Sequence, residues 1–242
     1  MSDSIVAEAR GGVLTVVLQR EERGNALDAQ SVEALHAALA EAARPEIRLL
    51  VLRGAGRSFC TGFDLAGLET QSDGDLLLRF TRIELLLQAI RHAPVPSLAL
   101  AHGRAFGAGA DLFAACTWRV AAPGTRFAFP GARFGLVLGT RRLAAIIGTA
   151  AALELTACGR ILEAADAVRF GLATQLAPAE DWPALISGLV GELAATDRET
   201  VLALRHAAQA DTRMEDLADL VRSAARPGLR ERILAYASAR RG

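Results

Sequence analysis

Twice in this chain a short apolar run empties directly into a glycine-bearing turn, and that feature constrains the fold more than any other. Ile47–Leu52 stops at Gly54 and Gly56 and leads into the segment Gly56–Leu65. Ser97–Ala101 stops at Gly103 and passes through Gly107 into Gly107–Ala115, a small-residue run that reads as a helix. Short aliphatic runs bounded by glycine are strand signals. Two strand-to-turn junctions can aim backbone N–H groups at one point. In the second junction those groups open a helix, where the dipole favours developing negative charge. A converging pair of amide donors is what a carbonyl needs when it becomes an oxyanion. Either turn alone is also an ordinary strand–helix connection.

The rest of the chain fits one α/β core with a helical C-terminal extension. Ile5–Ala9 and Val13–Leu18 flank Gly11-Gly12 as a hairpin. Leu27–Ala43 carries Val32, Leu35, Ala38 and Leu39 at helical spacing, with Asp28 as its N-cap. Asp75–His92 is an amphipathic helix through Leu76, Leu77, Phe80, Ile83, Leu87 and Ile90, closed by Pro94 and Pro96, and Thr117–Ala121 is a further strand. From Arg141 onward the reading is mainly helical, over Ala164–Phe170, Trp182–Ala194, Arg198–Ala210, Met214–Ser223 and Leu229–Ala239, so the strands are expected before about residue 130. No Pro/Gly/Ser linker divides the chain. The division expected is a core over residues 1–190 and a helical region over residues 191–242.

Composition removes several classes of function. Formal net charge is +0, unlike a basic nucleic-acid binder or an acidic disordered tail. All 27 basic residues are arginine, so neither a Schiff-base lysine nor a P-loop lysine exists. Cys60, Cys116 and Cys158 form no CxxC, and His36, His92, His102 and His206 have no metal-site spacing, so neither a disulfide framework nor a metal is expected. With no histidine beside it in sequence, Cys60 has no partner that would make it a nucleophile. Gly107-Ala108-Gly109 begins a dinucleotide fingerprint, but Leu112 stands where its third glycine belongs. The N-terminus lacks a signal-peptide pattern and no apolar run reaches the ~20 residues of a membrane span, so the expected location is cytoplasmic.

Five segments, in order and in spacing, resemble the enoyl-CoA hydratase/isomerase (crotonase) superfamily. Asn25-Ala26-Leu27 looks like its N-A-L element, Phe59–Leu65 (F-C-T-G-F-D-L) is similar to its F-S-A-G-A-D-L, and Gly103–Leu112 (G-R-A-F-G-A-G-A-D-L) resembles its G-x-A-x-G-G-G-x-E-L. Gly159–Pro178 and the last helix, Glu231–Arg240, match in the same way. The resemblance covers almost the whole chain. It implies an α/β fold, a spiral of ββα units with a C-terminal helical trimerisation region, assembled as a homotrimer or a dimer of trimers. It implies an acyl-CoA thioester as substrate, with the coenzyme A carried by that substrate and no separate cofactor, metal, nucleic acid or membrane partner.

Carried over residue by residue, the family's pattern puts the thioester oxygen on the amides of Phe63 and Ala108. Arg23, Gly24 and Ala26 fall where its loop meets the adenine and phosphates. The remaining substrate contacts fall on Cys60, Gly62, Asp64, Leu65, Gly107, Pro130 and Gly131. Arg23 is equally readable as a solvated loop charge. Hydratases of this family use two glutamates. Here the first position is Asp111 and the second, after Pro130, is Gly131, which supplies neither acid nor base. Asp111 is therefore expected to be the one catalytic carboxylate; taken alone, it is an acid complementing a helix dipole. Three readings remain open: hydratase or isomerase chemistry on Asp111 alone; another crotonase reaction such as thioester hydrolysis, decarboxylation or C–C cleavage; or acyl-CoA binding without turnover. Arg133 lies two residues beyond the missing carboxylate. Glu84 is a second candidate only if its helix face looks into the pocket, and a solvent-facing place is expected for it. Phe63, Phe106 and Phe129 suggest an aromatic-lined pocket or an aromatic core.

Overall fold

Along Val13–Leu18, Leu14, Val16 and Leu18 are buried while the alternate residues are half-buried, the period-two pattern of a strand with one face on a core. In the computed structural model, which describes residues 4–239, Ile5–Arg10 (β1) and Val13–Leu18 (β2) form the expected antiparallel hairpin. Helix α1 (Ala29–Ala40) starts at Asp28, whose side chain accepts from the Ser31 N–H at 2.7 Å. Strand β3 (Leu49–Gly54) is buried at Leu49, Leu50, Val51 and Leu52 because it is covered on both faces. Helix α2 (Asp73–Arg91) begins two residues earlier than its apolar spacing suggested, because Ser72 and Asp75 cap each other's backbone.

The chain continues through β4 (Ser97–Ala101), β5 (Arg104–Phe106), α3 (Ala108–Ala115), β6 (Trp118–Ala121) and β7 (Arg126–Ala128). Then come α4 (Thr140–Ile147), α5 (Thr149–Thr156), β8 (Leu162–Glu163), α6 (Ala164–Arg169) and β9 (Gln175–Leu176). The last elements are α7 (Trp182–Leu193), α8 (Arg198–Ala208), α9 (Arg213–Ala224) and α10 (Leu229–Ala239). The main sheet has the order β1-β2-β3-β4-β6-β9 and is parallel from β2 onward; β5, β7 and β8 make a second, small sheet. Strands β8 and β9 correct the expectation that strands end near residue 130. Each is two residues long, too short to carry a periodicity, and each exists because a neighbouring strand offers it an edge.

The two faces of the main sheet hold different cores. Leu14, Leu50, Leu52 and Ala99 join the large core with α1, α2 and α3, whereas Leu49, Val51, Leu98 and Val120 pack under Trp182 and its helix α7. Helix α9 lies on α2, and α10 lies on α2 and on a 3-10 turn at Pro130–Phe134. This packing brings Phe80 of α2 and Tyr236 of α10 onto one cavity with Phe63 and Ala108 of the two glycine-bearing turns. No helix among the described residues is long and apolar enough to cross a membrane.

Candidate active site

The two turns are laced together by backbone bonds. Cys60 N–H donates to Arg104 O at 3.1 Å, and Phe106 N–H donates to Cys60 O at 2.9 Å. Leu27 N–H donates to Gly62 O at 2.7 Å, and Asp64 N–H donates to Leu27 O at 3.0 Å. In a trans peptide the C=O and N–H point in opposite directions. With the Gly62 carbonyl turned to Leu27, the Phe63 N–H is directed away from it. By the same rule the Gly107 carbonyl, which accepts from Asp111 N–H at 3.0 Å inside α3, sends the Ala108 N–H out of the helix N-terminus. Neither N–H has a protein partner among the described residues.

Gly62 lets these amides approach. It has φ +92°, and a Cβ there would stand 2.5 Å from Phe106 O and 3.2 Å from Ala108 N. Phe63, Gly107, Ala108 and Asp111 then share the wall of a cavity of about 250 Å³. Leu65, Pro130 and Gly131 also line it, as do Phe80, Phe129, Phe134 and Tyr236, so the cavity is mainly apolar. The Phe63 ring is held between the Arg79 guanidinium, 3.9 Å from its centroid, and the Phe80 ring at 4.3 Å. Of the three phenylalanines singled out in sequence, Phe63 and Phe129 line the cavity and Phe106 does not.

Asp111 is 4 % exposed, and burial raises its carboxyl well above the usual carboxylate range; Arg142 opposes this and Glu84 adds to it. Its Oδ1 lies 2.2 Å from where a Cβ on Gly139 would stand, so a side chain there would displace the carboxyl. Glu84 corrects the expectation of a solvent-facing residue. It is fully buried, and its Oε1 accepts from Arg142 Nη2 at 2.8 Å and Gln88 Nε2 at 3.0 Å. Burial also raises the Glu84 carboxyl, and the neighbouring Asp216 adds to that, against the pull of Arg142 and Gln88. The signal was available: Glu84 is four residues after Phe80 and three before Leu87, squarely on the buried face of α2. Arg142 and Gly139, by contrast, are brought to Asp111 only by the packing of α4.

The other sequence-derived residues fall in three places. Arg23 and Asp64 line a second, open groove with Arg20, Asp28 and Arg79. Asp64 accepts from Arg20 Nη2 at 3.0 Å and Ala66 N–H at 2.9 Å, and against the effect of burial these bonds hold its carboxyl below the usual value. The exposed Arg23 guanidinium makes no hydrogen bond or ion pair among the described residues. Gly24 packs on Thr61, and the buried Ala26 offers its carbonyl to Arg20 Nη1 at 2.6 Å. Cys60 lies beneath α3, where Gly109 rests on its backbone, and burial pushes its thiol up to about 12. Arg133 is outside the cavity, beside Gly159. No cluster of three or more metal-ligating side chains occurs among the described residues.

The profile of the family described as enoyl-CoA hydratase/isomerase matches residues 8–227. A crystal structure from Bordetella parapertussis assigned to enoyl-CoA hydratase/isomerase is 47% identical, with a TM-score of 0.94 over 97% of this chain and 98% of that one. The probable enoyl-CoA hydratase echA6 of Mycobacterium leprae is 36% identical over 189 residues, 74% of each chain. The probable enoyl-CoA hydratase of Rhodobacter capsulatus is 37% identical over 179 residues, 72% of this chain and 69% of that one.

Proposed function

The chain belongs to the enoyl-CoA hydratase/isomerase family, and from that premise we propose that Asp111 is its single proton carrier, acting on an acyl-CoA thioester whose carbonyl oxygen the Phe63 and Ala108 N–H groups receive. The observation that carries this reading is that the Asp111 carboxyl and both unpartnered amides belong to residues lining one cavity. In its ionised form Asp111 removes a proton from a substrate carbon, and the electron pair passes into the thioester carbonyl. The resulting enolate oxygen is held by the Ala108 amide at the N-terminus of α3 and by the Phe63 amide from the first turn. Each such donor is worth about 2.7–4 kcal/mol where this has been measured in other enzymes. Asp111, now protonated, returns the proton to another carbon. Burial suits both halves of the cycle, because it brings the proton affinity of the carboxyl toward neutrality.

With Gly131 in the cavity wall, no second carboxylate stands beside Pro130 to activate water. One carboxyl that takes and returns the same proton favours double-bond migration over hydration. The coenzyme A portion, part of the substrate and not a cofactor, is placed along the loop Arg23–Ala26 and the groove beside it. A trimer or dimer of trimers belongs to the same reading and is checked by sedimentation. The decisive experiment compares Asp111→Asn with wild type on a panel of saturated and unsaturated acyl-CoAs followed by mass spectrometry. Turnover should fall at least about 100-fold with acyl-CoA affinity nearly unchanged. Equal rates would remove Asp111 from the mechanism. Tight binding without any product from wild type would instead favour a non-catalytic acyl-CoA carrier.

A further inference from the structure

Behind the cavity lies a cluster of charge, buried at Glu84, Arg142 and Asp216, that the proton transfer above does not use. Helix α2 supplies Glu84 and Arg91, α4 supplies Arg141 and Arg142, and α9 supplies Asp216 and Asp219. Arg142 is 2% exposed at its side chain, and its Nη2 faces Glu84 Oε1 at 2.8 Å and Asp216 Oδ2 at 3.5 Å. Its Nε and Nη1 are buried with no hydrogen-bond partner, as is Glu84 Oε2. A buried guanidinium with unused donors is costly unless something gains from holding it there.

What lies nearby is Asp111. From the point where a Cβ on Gly139 would stand, Asp111 Oδ1 is 2.2 Å away and Arg142 Nη1 is 3.5 Å away, so acid and cation flank the same empty spot. No hydrogen bond joins them among the described residues. Asp216 already has its own partners, Arg141 Nε at 3.1 Å and Thr212 Oγ1 at 2.9 Å. Glu84 thus makes the one hydrogen bond to the Arg142 guanidinium among the described residues, with Asp216 farther off at 3.5 Å.

We propose that Glu84 is a positioning residue: by holding the Arg142 guanidinium it keeps that cation out of hydrogen-bond contact with Asp111 and so sets whether Asp111 carries its proton. This rests on the reading of Asp111 as the acid/base, and deepens it. Removing the negative charge of Glu84 acts on Asp111 twice with one sign. It relieves repulsion between two buried carboxyls, and it leaves more of the Arg142 charge uncompensated beside Asp111. Both effects lower the proton affinity of Asp111. Removing the charge of Arg142 has the opposite sign.

The test is a pH titration of the full-length protein labelled at aspartate Cγ and followed by NMR, the Asp111 signal being assigned by its loss in D111N. In E84Q, which retains hydrogen-bonding groups for Gln88 and Arg142, the Asp111 midpoint should fall by about one pH unit or more. In R142Q it should rise. Either variant suffices if the other fails to fold, and a midpoint that stays put or moves the other way overturns the proposal. The wild-type titration needs no variant: an Asp111 midpoint in the ordinary carboxylate range also overturns it. The limb of the turnover pH profile should move with the midpoint, a shift that a merely structural role of Glu84 would not produce. A shifted midpoint in a protein whose D111N variant turns over like wild type supports the tuning and refutes the acid/base reading instead.

Discussion

Gly139→Ala tests the placement of Asp111 without touching its chemistry. Gly139 has φ +65°, and a Cβ there would stand 2.2 Å from Asp111 Oδ1. A left-handed conformation costs a residue with a Cβ about 1–2 kcal/mol, and in a chain of this size that lowers the melting temperature by roughly 2–8 °C. The second effect is local. To regain an ordinary contact distance the carboxyl must retreat by about 1 Å, and a misplacement of that size can lower a rate about 100-fold. Gly124→Ala separates the two effects, since Gly124 has φ +78° but nothing within 4 Å of its Cβ position. Both variants should melt lower by similar amounts, while only Gly139→Ala loses turnover on the preferred acyl-CoA. Differential scanning calorimetry and steady-state kinetics read the two quantities. If Gly139→Ala keeps wild-type kcat while melting like Gly124→Ala, the position of Asp111 does not limit the reaction and the argument for it fails.

Three further outcomes follow from the same geometry. Gly131→Glu should be accommodated, because the atoms nearest its Cβ position are at 3.8 Å, and a gain in hydration of crotonyl-CoA would show that the missing second carboxylate is what withholds that reaction; no gain counts against it. Asp111→Asn should raise the melting temperature, and more so as pH rises. A carboxyl whose folded-state pKa is raised holds its proton longer than the unfolded chain does, so wild type loses stability with increasing pH above about 4 while the amide does not. A difference that is flat from pH 4 to 9 would contradict the burial argument. Arg23→Ala should raise KM for acyl-CoA by about five-fold at most, less at high salt, and leave kcat alone. An unchanged KM at low salt would make Arg23 a plain solvated loop charge.

Most of the site's main chain was legible in the amino-acid order, and most of its electrostatics was not. Amide placement depends on local rules. A strand, a glycine and a helix start fix where Phe63 and Ala108 sit, and the trans peptide fixes which way their N–H groups face. Asp28 as a cap, the hairpin at Gly11-Gly12 and the absence of a carboxylate at Gly131 are local in the same sense. The partners of Asp111 are not. Arg142 reaches Glu84 across 58 residues and Asp216 across 74, by the packing of α2, α4 and α9, which no spacing along one element encodes. Whether a carboxyl keeps its proton is set by everything within a few ångströms in space, so the order of residues determined which two main-chain N–H groups are left unpartnered at the glycine-bearing turns, and only the tertiary packing decided which charges surround the buried Asp111 carboxyl.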